Sequence, residues 1–340
     1  MRSRVAVLGA GSFGTCLALL AARSHEVALW ARDAAMADEM QRARRNPRYL
    51  SEFVLPDSLR VTSQLGDALA GAALVVCAIP SHGVREVMSS AGPLLAPGAI
   101  VVSTVKGIEV ETSLLMHQVL AAVLPEPARA RVVALSGPSF AREVAAGKPT
   151  AVTLACETEE HAVTVQNALS SPLFRCYTHR DIVGVEVGGA LKNVVAIAVG
   201  MSDGLGTGLS ARSALMTRGL HEIARLGIKL GADPLTFLGL SGMGDLILTC
   251  TGDLSRNRTV GLELARGRSL TEIVRGMNEV AEGVRTTYAA CRLAAKLGME
   301  MPIATGLSRV LDGQITPAEA GLRLMSRRLK SELAGLPNSD

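Results

Sequence analysis

Glycines at positions 9, 11 and 14 separate a β-branched run, Arg4-Val-Ala-Val-Leu8, from an apolar helical stretch that ends near Ala22. No other part of the chain narrows its fold as much. In a strand–GxGxxG–helix unit the first glycine permits the tight turn, the second lets backbone approach a pyrophosphate with no Cβ between them, and the third brings the helix onto the strand. The N–H groups at a helix start have no partner within the helix and suit phosphate oxygens. Gly9, Gly11 and Gly14 are therefore expected to hold a dinucleotide. A second run, Glu26-Val-Ala-Leu-Trp30, leads into Ala31-Arg32-Asp33, where such units read the adenine ribose. Asp33 can accept from the 2′-hydroxyl of NAD and Arg32 can hold the 2′-phosphate of NADP, so the residues admit both nucleotides.

Basic residues Arg2 and Arg4 ahead of an uncharged stretch from Val5 to Ala22 also match the outline of a secretory signal. The glycines lie where such a signal needs strong helix propensity, and a strand-forming segment follows at once in place of a cleavage site, so this stretch is expected to belong to the folded domain. A second uncharged stretch, Val87 to Val105, contains Gly92, Pro93, Pro97 and Gly98, and no membrane span is expected. With 340 residues and 48% hydrophobic content, the chain can bury a core in each of two domains. Its net charge of +4 is spread along the chain, and the densest basic cluster, Arg42-Ala-Arg-Arg45, lacks interleaved aromatics. That composition argues against nucleic acid and for a small anionic partner. The six cysteines (16, 77, 156, 176, 250 and 291) form no CxxC pair and the histidines no HExxH, so reduced thiols, a cytoplasmic setting and no metal site are expected.

Runs of the buried-strand type recur at Leu74–Ile79, Ile100–Val105, Arg131–Leu135 and Ala151–Ala155. In a doubly wound sheet the ligand lies beyond the carboxyl ends of the strands, which gives weight to Pro80-Ser-His82, Lys106-Gly107 and Ser136-Gly-Pro-Ser-Phe-Ala141. From Gly188 onward strand signals disappear, and helical spacing runs through Ser210–Leu230, Gly283–Leu297 and Ala318–Lys330. Thr316-Pro-Ala-Glu319 offers an N-cap, a proline at the first helical position and a reciprocal glutamate. The expected fold is α/β, with a Rossmann-like doubly wound N-terminal domain over residues 1–187 followed by an all-α C-terminal domain over 188–340.

Within the helical half, Gly188-Gly-Ala-Leu-Lys-Asn-Val-Val-Ala-Ile-Ala-Val-Gly200 has Lys192 as its one ionisable residue. Burial of an ammonium favours the neutral amine and brings its pKa towards the range where a lysine trades protons. A snorkelling lysine is the plainer reading. The two glycines before it, Asn193 after it and the nucleotide signature favour an acid/base role. Gly239-Leu-Ser-Gly-Met-Gly-Asp245 and Ser255-Arg-Asn-Arg258 also interrupt the helical pattern. Each can be mere helix punctuation, or Arg256 and Asn257 at a helix start can bind a phosphate while Asp245 accepts from a hydroxyl or orients Lys192.

The blocks GAGSFGT, IPSH, KGIE, SGPSFAREVAAGKPT, GVEVGGALKNVVAIAVGMSDGLG, TRGLHEIARLG, GLSGMGDLILTCT, SRNRTVG and VAEGVRTT follow one another in order. In their order and spacing they resemble the bacterial NAD(P)-dependent sn-glycerol-3-phosphate dehydrogenases over nearly the whole chain. The resemblance implies that Lys192 is the proton donor and acceptor, and that Lys106, Gly137, Ser139, Asp245, Ser255, Arg256 and Asn257 contact glycerol phosphate. It further implies dinucleotide contacts from Ser12, Phe13, Arg32, Lys106, Ala141, Arg256, Val280 and Glu282. Reduction for phospholipid synthesis and a homodimer are implied in the same way. Ser210 stands where such proteins often carry Asn, and Ser241 where Ala is common. Two other readings stay open: a ketopantoate or β-hydroxyacid dehydrogenase, whose substrate presents a carboxylate, and an NADP-sensing protein without turnover.

Overall fold

The continuous β-branched runs form strands because both faces of such strands are covered. In the computed structural model, which describes residues 3–277, 281–332 and 334–335, the strands are β1 (Arg4–Leu8), β2 (Glu26–Trp30), β3 (Leu59–Thr62), β4 (Leu74–Cys77), β5 (Ile100–Ser103), β6 (Val132–Ser136), β7 (Thr150–Ala155) and β8 (Phe174–His179). They make one sheet in the order β3-β2-β1-β4-β5-β6-β7-β8. All neighbours are parallel except β6 and β7. β4, β5 and β6 are buried at every position, as expected of strands sandwiched between helices. The strand order reverses direction between β1 and β4, which is where a doubly wound sheet opens a crevice for ligands.

Two strands, β3 and β8, lie outside the sequence expectation. Both are edges of the sheet, and β8 alternates buried and exposed residues over Phe174–Tyr177, so neither has the unbroken apolar run that marked the interior strands. Helix α1 (Ser12–Ala21) packs Cys16, Leu17 and Leu20 into the same core as Val5, Val7, Leu29, Val76 and Val102. The stretch that outlined a secretory signal is thus a strand and a helix of this core. Helix α2 (Ala34–Ala43) follows β2, and the short α3 (Ala141–Ala145) follows β6.

The chain divides into two compact units. Residues up to Val105 with Met116–Ile182 form the sheet unit, and Lys106–Leu115 with the residues from Val183 onward form the helical unit. The expected division after residue 187 falls inside a helix, α4 (Ile182–Gly204). The ten residues from Lys106, expected with the sheet, belong with the helices: Arg292 donates to the Val110 carbonyl at 3.1 Å and Lys296 to that of Thr112 at 3.0 Å.

The helical unit is built around α4, which is buried continuously from Gly184 to Met201. By length and composition α4 is apolar enough to cross a membrane, but its most apolar window is 94% buried within the protein, as befits a core helix. Around it lie α5 (Leu209–Lys229), α6 (Asp245–Thr251), α7 (Arg256–Ala265), α8 (Glu282–Lys296), α9 (Pro302–Leu311) and α10 (Pro317–Met325). α4 and α7 meet backbone to backbone: a Cβ on Gly200 would lie 2.1 Å from the Arg258 carbonyl oxygen, and one on Gly261 2.0 Å from that of Ile197. α10 begins with the expected reciprocal cap, Thr316 Oγ1 accepting from Glu319 N at 3.2 Å and Glu319 accepting from Thr316 N at 2.7 Å. It stops at Met325, short of Lys330.

Candidate active site

In the sheet unit the first β–α turn has the geometry that its glycines require. Gly9 adopts φ +112°, and a Cβ there would lie 2.6 Å from the Ala78 carbonyl oxygen at the end of β4. On Gly14 a Cβ would fall 1.8 Å from the Gly9 carbonyl oxygen, so only glycine lets α1 sit this close to its strand. Gly11 differs. Among the described residues nothing lies within 4 Å of the Cβ it lacks, and it is the N-cap of α1. That room above a helix start fits a pyrophosphate, and a side chain would fill it.

Ser12 and Phe13 form the first turn of α1, and Phe13 packs half-buried on the core, as does Ala141 at the start of α3. Asn46, which sequence reasoning missed, braces the turn from behind. It is fully buried, donating from Nδ2 to the Ala10 carbonyl at 2.9 Å and to Thr15 Oγ1 at 2.8 Å. At the end of β2, Asp33 accepts from Met36 N at 3.1 Å as the N-cap of α2 and lies 3.8 Å from the Arg48 guanidinium. Its carboxylate is committed to a helix start, while Arg32 beside it is exposed. After β6, Gly137 takes φ +141° and its carbonyl accepts from Ser139 Oγ at 3.0 Å.

In the helical unit, Lys192 projects from the middle of α4 with 6% of its surface exposed. Its Nζ is paired with Asp245 Oδ1 and donates to Thr249 Oγ1 at 2.8 Å. The other carboxylate oxygen of Asp245 accepts from Lys106 Nζ at 2.7 Å. Asp245 and Thr249 stand one turn apart on α6, so they share a face. Burial strips the Lys192 ammonium of water, and although Asp245 opposes this, the charge of Lys106 works with it. The result is a lysine pulled down to about 7. Burial alone would neutralise Asp245, but Lys106 and Lys192 outweigh it and hold the carboxyl below its ordinary range.

A chain of amides extends from this cluster. Asn193 donates to the Lys106 carbonyl at 3.1 Å, Asn257 donates to Asn193 Oδ1 at 2.9 Å, and Gly283 N donates to Asn257 Oδ1 at 3.0 Å. The backbone carbonyl at one end and the backbone N–H at the other fix which way both amides point. Ser255 is the N-cap of α7, its Oγ accepting from Arg258 N at 3.2 Å. Arg256 is the first residue of that helix and Glu282 the first of α8. Val280 lies outside the described residues. The fold therefore brings together Lys106, Lys192, Asp245 and Asn257, with Ser255 and Arg256 on the same helix start as Asn257. It adds Thr249, whose one signal in the sequence was the four-residue spacing from Asp245.

This cluster carries two ammonium groups on one carboxylate, so it favours an anion and can move a proton at Lys192. Cys77 and Cys250 are not competing nucleophiles, since burial pushes both thiols up to about 12.

A glycine-rich turn of the dinucleotide-binding type on a doubly wound sheet, carried in one chain with a buried lysine paired to a carboxylate in a helical unit, is the arrangement of a nicotinamide-nucleotide-dependent oxidoreductase. Residues 4–162 match the family described as NAD-dependent glycerol-3-phosphate dehydrogenase N-terminus, and residues 181–321 the corresponding C-terminus. The chain belongs to the NAD-dependent glycerol-3-phosphate dehydrogenase family, with NAD or NADP as its cofactor. It is 51% identical to a glycerol-3-phosphate dehydrogenase [NAD(P)+] of Geobacter sp. (strain M21) over 98% of this chain and 99% of that one. A protein of the same name from Syntrophotalea carbinolica is 52% identical over 97% and 99%. The crystal structure of glycerol-3-phosphate dehydrogenase from Coxiella burnetii superposes with a TM-score of 0.91 at 38% identity, covering 96% of this chain and 99% of that one.

Proposed function

We propose that this chain interconverts dihydroxyacetone phosphate and sn-glycerol 3-phosphate, with Lys192 as proton donor and acceptor. The observation that carries this reading is the burial of Lys192 against Asp245 and Thr249, with its ammonium drawn down to about 7. A group with a pKa near working pH is efficient in both directions of proton transfer.

Gly9, Gly11, Ser12, Phe13, Gly14, Arg32, Ala141 and, from the helical unit, Lys106, Arg256, Val280 and Glu282 are the residues proposed to hold the dinucleotide. When bound, NAD(P)H supplies the hydride that reduces the C2 carbonyl. As negative charge builds on the C2 oxygen, the Lys192 ammonium stabilises it and transfers its proton there. In the opposite direction the neutral amine of Lys192 takes the proton from the C2 hydroxyl. Asp245, with both oxygens engaged, orients Lys192 and keeps Lys106 beside it. Arg256, with Ser255 and Asn257 at the start of α7, holds the phosphate by charge and by the helix N-terminus. Gly137 and Ser139 complete the proposed substrate contacts. The product suits phospholipid synthesis, and a cytoplasmic homodimer is the proposed working form.

Oxidation of NADH and NADPH, followed by the loss of reduced-nicotinamide absorbance, with dihydroxyacetone phosphate, with ketopantoate and with no substrate tests the reading. Turnover only with the phosphorylated ketone is expected. Turnover with ketopantoate would reassign the substrate, and nucleotide binding without turnover on any of them would point to a sensor. Arg256→Ala should raise KM for dihydroxyacetone phosphate by about ten-fold or more, since a charge-assisted contact is worth roughly 1.5–3 kcal/mol.

A further inference from the structure

Asp203, near the end of α4, lies about three helical turns beyond Lys192. Its side chain is 7% exposed and both of its oxygens are engaged: Arg212 Nε donates to Oδ1 at 2.7 Å and Arg258 Nε to Oδ2 at 2.9 Å. Arg212 stands in the first turns of α5 and Arg258 in the first turn of α7, so one carboxylate ties the ends of three helices. Arg258 also reaches Asp253 at 3.2 Å, but that partner is fully exposed and adds little.

Arg258 is two residues from Arg256. We propose that the Asp203–Arg258 pair sets the position of Arg256 and so the strength with which the substrate phosphate is held, which makes Asp203 and Arg258 positioning residues for substrate binding. This rests on the reading of Arg256 as the phosphate anchor.

Successive side chains on an α-helix point about 100° apart. Asn257 is fastened to Asn193 on α4 and Arg258 to Asp203 on α4, so α7 is held at two adjacent directions around its axis. With the glycine contact at Gly200 and Gly261 setting its distance from α4, the first turn of α7 can neither roll nor slide. The direction in which Arg256 points is thereby fixed on the helix that carries Lys192. Without the Arg258–Asp203 pair one of these two fastenings between α7 and α4 is lost. Arg256 then samples positions away from the phosphate, and the loss is in binding, not in the proton step.

The test compares Asp203→Asn, Arg258→Lys and Arg256→Ala, each on dihydroxyacetone phosphate and on unphosphorylated dihydroxyacetone as a slow substrate. Asp203→Asn is expected to raise KM for dihydroxyacetone phosphate on the order of ten-fold, with kcat and the efficiency on dihydroxyacetone within about two-fold of the parent. Arg258→Lys keeps a charge opposite Asp203 but not the Nε donor fixed in the guanidinium plane, and is expected to raise the same KM by about three-fold; it carries the test if Asp203→Asn does not fold. An unchanged KM in these variants overturns the proposal, as does an equal loss on both substrates, which would mark a purely structural role. Arg256→Ala separates the two claims. If it raises KM and the other two variants do not, the positioning role fails alone; if it leaves KM unchanged, the phosphate reading beneath it fails.

Discussion

Lys192 and Asp245 form a buried ion pair, 8% and 1% exposed in their side chains, in which each partner governs the protonation of the other. The carboxylate raises the affinity of the amine for its proton, while burial and Lys106 lower it. The balance leaves an ammonium that can part with a proton near neutrality, held by a carboxylate that stays charged.

Removing the amine is the direct check on that arrangement. Lys192→Ala should lower kcat for ketone reduction by about two to four orders of magnitude, the usual worth of general acid help. NADH binding, followed by nucleotide fluorescence, should stay within about two-fold of the parent. A variant with near-parental kcat would show that the proton comes from elsewhere.

The pH dependence has a definite sign. Reduction needs the ammonium, so kcat should be level at low pH and decline as pH rises through about 7, while oxidation of glycerol 3-phosphate should rise through the same value and then level off. Asp245→Asn removes the charge that raises the lysine and should move both limbs to lower pH. Lys106→Met removes a charge that lowers it and should move them higher. Shifts in the same direction for the two variants would contradict the assigned balance.

Beyond β2, Asp33 is occupied as a helix cap and Arg32 is exposed. Arg32→Ala is expected to weaken NADPH by about 1.5–3 kcal/mol, the range for a hydrogen bond to a charged group, and NADH far less. Michaelis constants for both nucleotides measure this, and an equal loss for the two would mean that Arg32 does not read the 2′-phosphate.

The glycine turn allows a sharper contrast. Gly14→Ala places a methyl 1.8 Å from a carbonyl oxygen, and should cost about 1–3 kcal/mol in stability through overpacking as well as nucleotide affinity. Gly11→Ala adds its methyl to open room, so the melting temperature should stay near that of the parent while NADH affinity falls. If Gly11→Ala binds NADH normally, the pyrophosphate does not lie over that residue.

Local pattern alone located the glycine turn, the interior strands, the capping box at Thr316 and the lysine in the apolar helix, because each is a property of neighbouring residues. The edge strands β3 and β8 escaped it because half-exposed strands lack a continuous apolar run. Lys106 beyond a strand end and Asp245 in a glycine-rich break were also legible, with Asp245 orienting Lys192 as one of two readings, but the joint engagement of both lysines by one carboxylate was not. Lys106 and Asp245 are 139 residues apart in the chain, and Lys192 and Asp245 are 53 apart. Their meeting depends on how α4 and α6 pack and on the segment from Lys106 joining the helical unit. The same holds for Thr249, for the Asn193–Asn257 relay and for Asp203 with its two arginines. Residue type and spacing determined which groups were available for chemistry, whereas their burial, their partners and hence the protonation of Lys192 were decided by tertiary packing, since desolvation and short-range charge pairing exist only once distant segments exclude water together.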